Sequence, residues 1–269
     1  MSRAIVVLGM HRSGTSAIAR GAAALGVDLG SDFLDAQPEN PTGYWEDRGV
    51  VELNERVLKA LGLTWDALAA IDPRRFGGWR MWNLRREARR YLHRRFAHAP
   101  LWGFKDPRTI RLLPFWLRVL RESKVDDAYL LAIRNPASVA ASLHSRQQMD
   151  VETAQRLWLV NVVPLLGELD GKPLVVVDYD LLMHDPRGQL ERIAQRLRLP
   201  ARDPTEIERF ADEFLDASLR HTVFSFDDID SSTKAGALTR DAFELLYDLA
   251  TDRRDSDSAF WTAWGSVLR

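Results

Sequence analysis

Four short apolar runs punctuate the chain at residues 4–8, 101–104, 128–133 and 173–177, and each ends in a polar or glycine-bounded turn. Runs of this length without polar alternation predict strands covered on both faces, as in a parallel sheet. Between them the apolar positions recur every three or four residues. That spacing predicts helices at about residues 48–61, 82–96, 107–121, 135–144, 151–169 and 185–197, with Leu84, Ala88 and Leu92 as the core-facing stripe of the second. An Ala-rich helix follows the first strand closely and stops near Gly26. Strands alternating with helices give an α/β fold with right-handed crossovers. The expected architecture is one domain over residues 1–269: a central parallel sheet of about four to five strands flanked by helices, a helical insertion at about 47–98, and a helical part at about 203–269 whose Phe260, Trp261 and Trp264 pack onto the body.

The candidate chemistry sits where strands end. Ala4 to Leu8 runs directly into Gly9-Met10-His11-Arg12-Ser13-Gly14-Thr15-Ser16, a strand, glycine-bounded loop and helix start whose backbone N–H groups and helix dipole suit a phosphate or sulfate group. The Gly9 to Gly14 spacing is that of a nucleotide-triphosphate loop, and Ser16 holds the place of the Mg²⁺-binding hydroxyl, but Thr15 replaces the usual lysine and the basic residue is Arg12. A sulfuryl group carries less charge than a γ-phosphate and is managed by cationic side chains alone, so the exchange tilts the reading away from a kinase. The second strand ends in Lys105-Asp106-Pro107-Arg108-Thr109 and the third in Arg134, with Ser138 and Ser142 on one face of the following helix. A long polar segment, residues 28–44, leads to Tyr44-Trp45-Glu46-Asp47, where two carboxylates stand at a helix start and simple capping is the plain alternative. Residues 74–95 carry nine arginines among Trp79, Trp82 and Tyr91. That segment reads as a solvated helix face, with an anionic polymer as the other reading.

Composition narrows the classes. The net charge of −1 provides no global field for nucleic acid or a membrane surface, and the absence of cysteine excludes disulfides, thiolate catalysis and Cys-based metal sites. No nucleic-acid partner is expected on that charge, and with no signal-peptide pattern and no run of eighteen apolar residues the expected location is cytoplasmic, with no membrane span.

Taken together, Gly9 to Ser16, Lys105-Asp106-Pro107 and Arg134 with Ser142 resemble the P-loop sulfotransferases that use 3′-phosphoadenosine 5′-phosphosulfate (PAPS). The likeness spans roughly the first 185 residues, with Tyr179-Asp180-Leu181-Leu182 and Asp185-Pro186 similar to a later strand–helix junction of that family, and lies closer to its carbohydrate- and tyrosine-modifying branch than to its cytosolic small-molecule branch. The resemblance implies a P-loop-type three-layer fold and a 5′-phosphosulfate grip at Gly9, His11, Arg12, Ser13, Gly14, Thr15 and Ser16. It also implies a 3′-phosphate grip at Arg134 and Ser142, a catalytic Lys105 beside the transferred group, and no metal. Pro107 stands where small-molecule members carry the catalytic histidine, so the base is expected from the segment after the first helix. Glu46 is favoured because aromatic neighbours desolvate it, and Glu39, Asp47 and His11 stay open. Arg12 and Lys105 would stabilise the leaving group. The implied reaction is sulfuryl transfer to a hydroxyl or amine of a saccharide, glycoconjugate or secondary metabolite, in a cleft formed by residues 28–44 and 74–95. An ATP- and Mg²⁺-dependent kinase and a non-catalytic nucleotide or polyanion binder are the alternatives. Whether Lys234-Ala235-Gly236, read as part of a loop, reaches the cofactor stays open as well.

Overall fold

A computed structural model describes residues 2–37, 43–201, 203–215 and 224–267. Four strands, β1 (Arg3–Leu8), β2 (Leu101–Lys105), β3 (Asp126–Ile133) and β4 (Leu174–Asp178), form one fully parallel sheet in the order β2-β1-β3-β4. The register sets Val7 opposite Lys105, Leu8 opposite Leu131, and Ile133 opposite Asp178. Alternation along each strand builds two cores. Ile5, Val7, Ala128, Leu130, Ala132, Val175 and Val177 face one side, under α1 (Thr15–Ala24), while Ala4, Val6, Leu8, Phe104, Leu131 and Val176 face the other. Because both faces are covered, β1 has no polar face, and residues 4–8 are wholly inaccessible.

The second face is covered by α2 (Arg48–Ala60), α3 (Gly78–Arg95), α4 (Leu113–Glu122), α5 (Pro136–Gln147), α6 (Val151–Leu166) and α10 (Lys234–Ala250). Three short helices, α7 (Tyr179–His184), α8 (Pro186–Arg196) and α9 (Pro204–Arg209), follow β4, and α11 (Ser258–Val267) buries Phe260 and Trp264 while Trp261 stays half-exposed. The α/β class and the parallel sheet are as expected, with four strands.

Three boundaries differ. The arginine-rich helix begins at Gly78, a turn before Trp82, because the glycine pair ends a 3-10 turn at Pro73–Phe76 and at once starts the next helix, with Gly78 at φ +81°. Residues 234–236 form the first turn of α10 rather than a loop, since the Thr233 hydroxyl accepts from the Gly236 N–H at 3.0 Å. Helix α7 has no counterpart in the sequence reading; Asp178 nucleates it by accepting from both Asp180 N and Leu181 N.

The chain leaves β1 toward β2 and crosses back over it to reach β3, so the carboxyl ends of all three strands gather where the strand order reverses. Open α/β sheets hold ligands in that crevice.

Candidate functional site

The loop from Leu8 to α1 turns on backbone geometry that few residues tolerate. Gly9 (φ +144°) lies so close to β3 that an added Cβ would come 2.7 Å from the Ala132 carbonyl oxygen, and Gly14 (φ +77°) is pressed against Tyr179, whose ring atom lies 2.2 Å from the position of such a Cβ. Gly14→Ala is expected to cost at least about 1–2 kcal/mol from the left-handed backbone alone, with the ring clash in addition; urea unfolding measures it, and a neutral result would contradict this packing. Arg12 is also left-handed (φ +69°), and its Nε donates to Ser142 Oγ on α5 at 2.8 Å. Helix α1, like α3 and α4, has no side-chain cap, whereas α2, α5, α6, α7, α8, α9 and α10 are each capped by an Asp, Asn or Thr. The donors of its first turn therefore face the crevice without a side-chain acceptor.

Lys105, at the end of β2, is buried at 1% exposure and uses its three protons on three oxygens: Glu46 Oε1 at 2.8 Å, the Tyr44 carbonyl at 2.7 Å and Ser16 Oγ at 3.2 Å. Both of the first two come from one turn, and that turn requires Trp45 at φ +56°. An indole residue in the left-handed region is a strained choice. Here it points the Tyr44 carbonyl and the Glu46 carboxylate to the same ammonium, while the indole packs outward on Phe33 and Phe214, with Arg20 over its ring. Arg108 Nη1 lies 3.7 Å from the other Glu46 oxygen and 2.8 Å from Asp106 Oδ1. Burial raises the pKa of Glu46 above the ordinary carboxylate value, and the Lys105 charge opposes that rise without cancelling it.

His11 stacks at a tilt on Trp65, ring centres 4.5 Å apart, and its Nε2 is buried with no hydrogen-bond partner. Burial first, then the charges of Arg108, Lys105, Arg12 and Arg146, hold its pKa well below the usual imidazole value, so the ring is neutral at pH 7. Arg134 follows β3 directly and lies over Tyr179, 4.8 Å from the ring centre. Asn135 caps α5 and donates to the Phe224 and Ser225 carbonyls. Ser138 is fully buried with its hydroxyl unsatisfied, and Ser142 is half-buried and held by Arg12.

The structure thus brings Gly9, His11, Arg12, Ser13, Gly14, Thr15, Ser16, Glu46, Lys105, Arg134 and Ser142 to the carboxyl edge of the sheet and its adjoining loops. Asp47 is not exposed to the crevice: it caps α2 by accepting from Val50 N and is locked by Arg95 at 3.0 Å and by the Tyr91 hydroxyl. Glu39 lies outside the described residues. Arg108, Arg146, Trp65, Tyr179 and Asp178 belong to the same neighbourhood and were not singled out as site residues. Arg108 and Asp178 carry the strand-end signal that pointed to Lys105 and Arg134, whereas Trp65 reaches His11 only through the tertiary path of the insertion.

The chain matches no family model and no curated protein. Among the described residues no cluster of three or more His, Asp or Glu side chains is arranged to hold a metal ion, and no helix is long and apolar enough to cross a membrane.

Asp178, buried beside this edge, has its pKa pushed up to about 7, chiefly by burial. Below about pH 4 it is protonated in both folded and unfolded chains. Between there and about pH 7 only the unfolded chain ionises it, so its contribution to stability declines as pH rises, and above that range the folded state carries the whole cost of a buried carboxylate. Asp178→Asn is therefore expected to gain stability relative to the parent between pH 4 and pH 8, read from denaturation midpoints. A pH-independent difference would remove Asp178 as the titrating group.

Proposed function

We propose that this chain transfers a sulfuryl group from PAPS to a hydroxyl or amine acceptor. The observation that carries the reading is the uncapped first turn of α1 behind the Gly9–Gly14 loop, joined to α5 by the Arg12–Ser142 hydrogen bond, with Arg134 at the carboxyl end of the neighbouring β3. Two negatively charged groups on one nucleotide match a helix first turn and a strand-end arginine. The orphaned Nε2 of neutral His11 adds a buried polar atom that a bound anion or acceptor would satisfy.

The donor supplies an activated sulfur with a good leaving group, and the rest falls to the protein. Loop N–H groups and Arg12 hold the 5′ end, and Arg134 and Ser142 hold the 3′-phosphate. As the acceptor oxygen bonds to sulfur its proton passes to Glu46, whose raised pKa suits it as a base. The bond between sulfur and the bridging phosphate oxygen breaks, its electron pair stays on that oxygen, and Lys105 and Arg12 stabilise the charge. Lys105 now rests on Glu46; drawn toward the leaving oxygen, it strengthens the base as the reaction advances. Saccharides, glycoconjugates and hydroxylated secondary metabolites are the proposed acceptors.

Calorimetric titration with adenosine 3′,5′-bisphosphate in EDTA, beside 5′-AMP and ATP with Mg²⁺, tests the cofactor. Tight metal-free binding that depends on the 3′-phosphate is expected. Arg134→Ala should weaken it by about 10- to 100-fold, as for loss of a charge-assisted contact, with 5′-AMP barely affected. Tighter binding of ATP with Mg²⁺ would replace this reading with a phosphotransferase.

A further inference from the structure

The arginine-rich helix contributes little to the site just described, and its outer face calls for a separate account. Helix α3 is 18 residues long and buries Met81, Leu84, Arg85, Ala88 and Leu92. On the opposite side, at steps of three and four residues, stand Trp79, Trp82, Arg86, Arg90 and Arg94. Trp79 is 73% exposed and Trp82 41% exposed, whereas tryptophan is highly buried on average. They stack on each other at 5.1 Å, and the Arg86 guanidinium lies 5.6 Å from the Trp82 ring centre.

The charge on this face is uncompensated. Residues 74–95 hold nine arginines and a single acid, Glu87, which is taken by Arg56. Arg74, Arg85, Arg89 and Arg95 are paired with Asp72, Glu122 and Asp47, but among the described residues Arg80, Arg86, Arg90 and Arg94 form no ion pair. A protein with a net charge of −1 thus concentrates cations without an ion-pair partner and a stacked pair of exposed indoles on one face of one helix.

We propose that this face docks on an anionic phospholipid surface, with the indoles seated at headgroup depth and the arginines on lipid phosphates. Indole rings favour that boundary because one edge is apolar and the other carries an N–H, and guanidinium groups gain from the negative surface potential. The shape favours a plane over a polymer. A row of side chains along one helix face meets a flat surface along its length, whereas the bases of a single-stranded nucleic acid stack on open aromatic faces, and here Trp79 and Trp82 are stacked on each other with Arg86 against Trp82. The attachment is peripheral, by one face of a packed helix.

The test is co-sedimentation of the chain with phosphatidylglycerol vesicles, against phosphatidylcholine vesicles, with heparin and a thymidine oligonucleotide as soluble competitors. Binding to phosphatidylglycerol alone is expected, weakened by salt and accompanied by a blue shift of tryptophan emission. Trp79→Ala with Trp82→Ala, and separately Arg86→Glu with Arg90→Glu, should each weaken it about tenfold or more, with thermal unfolding unchanged because all four side chains are exposed. Absence of vesicle binding, tighter binding to heparin or the oligonucleotide, or indifference to the tryptophan substitutions would each overturn the proposal.

Discussion

Glu46→Gln is expected to lower turnover by about 10²- to 10⁴-fold, the usual contribution of a positioned general base, while the affinity for adenosine 3′,5′-bisphosphate stays within about twofold, since no contact assigned to the nucleotide is removed. The amide keeps an oxygen for the Lys105 ammonium, which Glu46 accepts at 2.8 Å, so the turn at Trp45 has no reason to rearrange. The parent's activity should fall on the acid side as Glu46 takes up its proton, with the midpoint displaced above the ordinary carboxylate range because burial raises its pKa. Single-turnover rates across pH, with binding measured separately, test both points. Undiminished turnover would move the base to His11, whose neutral ring also lies at this edge, or to Glu39.

Lys105→Met is expected to cost about 3–5 kcal/mol of stability, the range for breaking a buried ion pair by removing one partner. The lost methylenes are largely replaced by the methionine; what is left behind is the Glu46 carboxylate, 7% exposed, with Arg108 at 3.7 Å as its remaining cation. Adding Glu46→Gln should recover most of the loss, because the orphaned charge goes with it, and the double-mutant cycle isolates that coupling. Guanidinium unfolding of the four proteins makes the comparison. A cost below about 1 kcal/mol for Lys105→Met alone would mean that the pair is solvated, contrary to its burial.

The parallel sheet was legible because strands covered on both faces leave unbroken apolar runs, and β1 with its glycine-bounded loop is the plainest case. Strand-end positions follow from the same rule and mark Lys105 and Arg134 as charged residues at the ligand-facing edge, while the roles expected of them come from the family resemblance. Contacts that close the site were not legible. Lys105 and Glu46 are 59 positions apart, and Arg12 and Ser142 are 130 apart; no local pattern encodes either meeting. The start of α3 was misplaced because a glycine pair reads as a break, whereas here it serves as a junction between two helical turns. Helix α7, at six residues, is too short for periodicity to register, and only its capping Asp178 betrays it.

The strand order also bears on how the chain reaches its folded state during synthesis. β1 is made first, yet its two neighbours begin at residues 101 and 126. During synthesis the apolar run 4–8 and the loop after it therefore wait for partners that lie far along the chain, and closure of such distant pairings is slow. The glycine-bounded loop is thus made before the strands that complete the crevice around it, and an apolar strand exposed in that interval is the segment most open to misassociation.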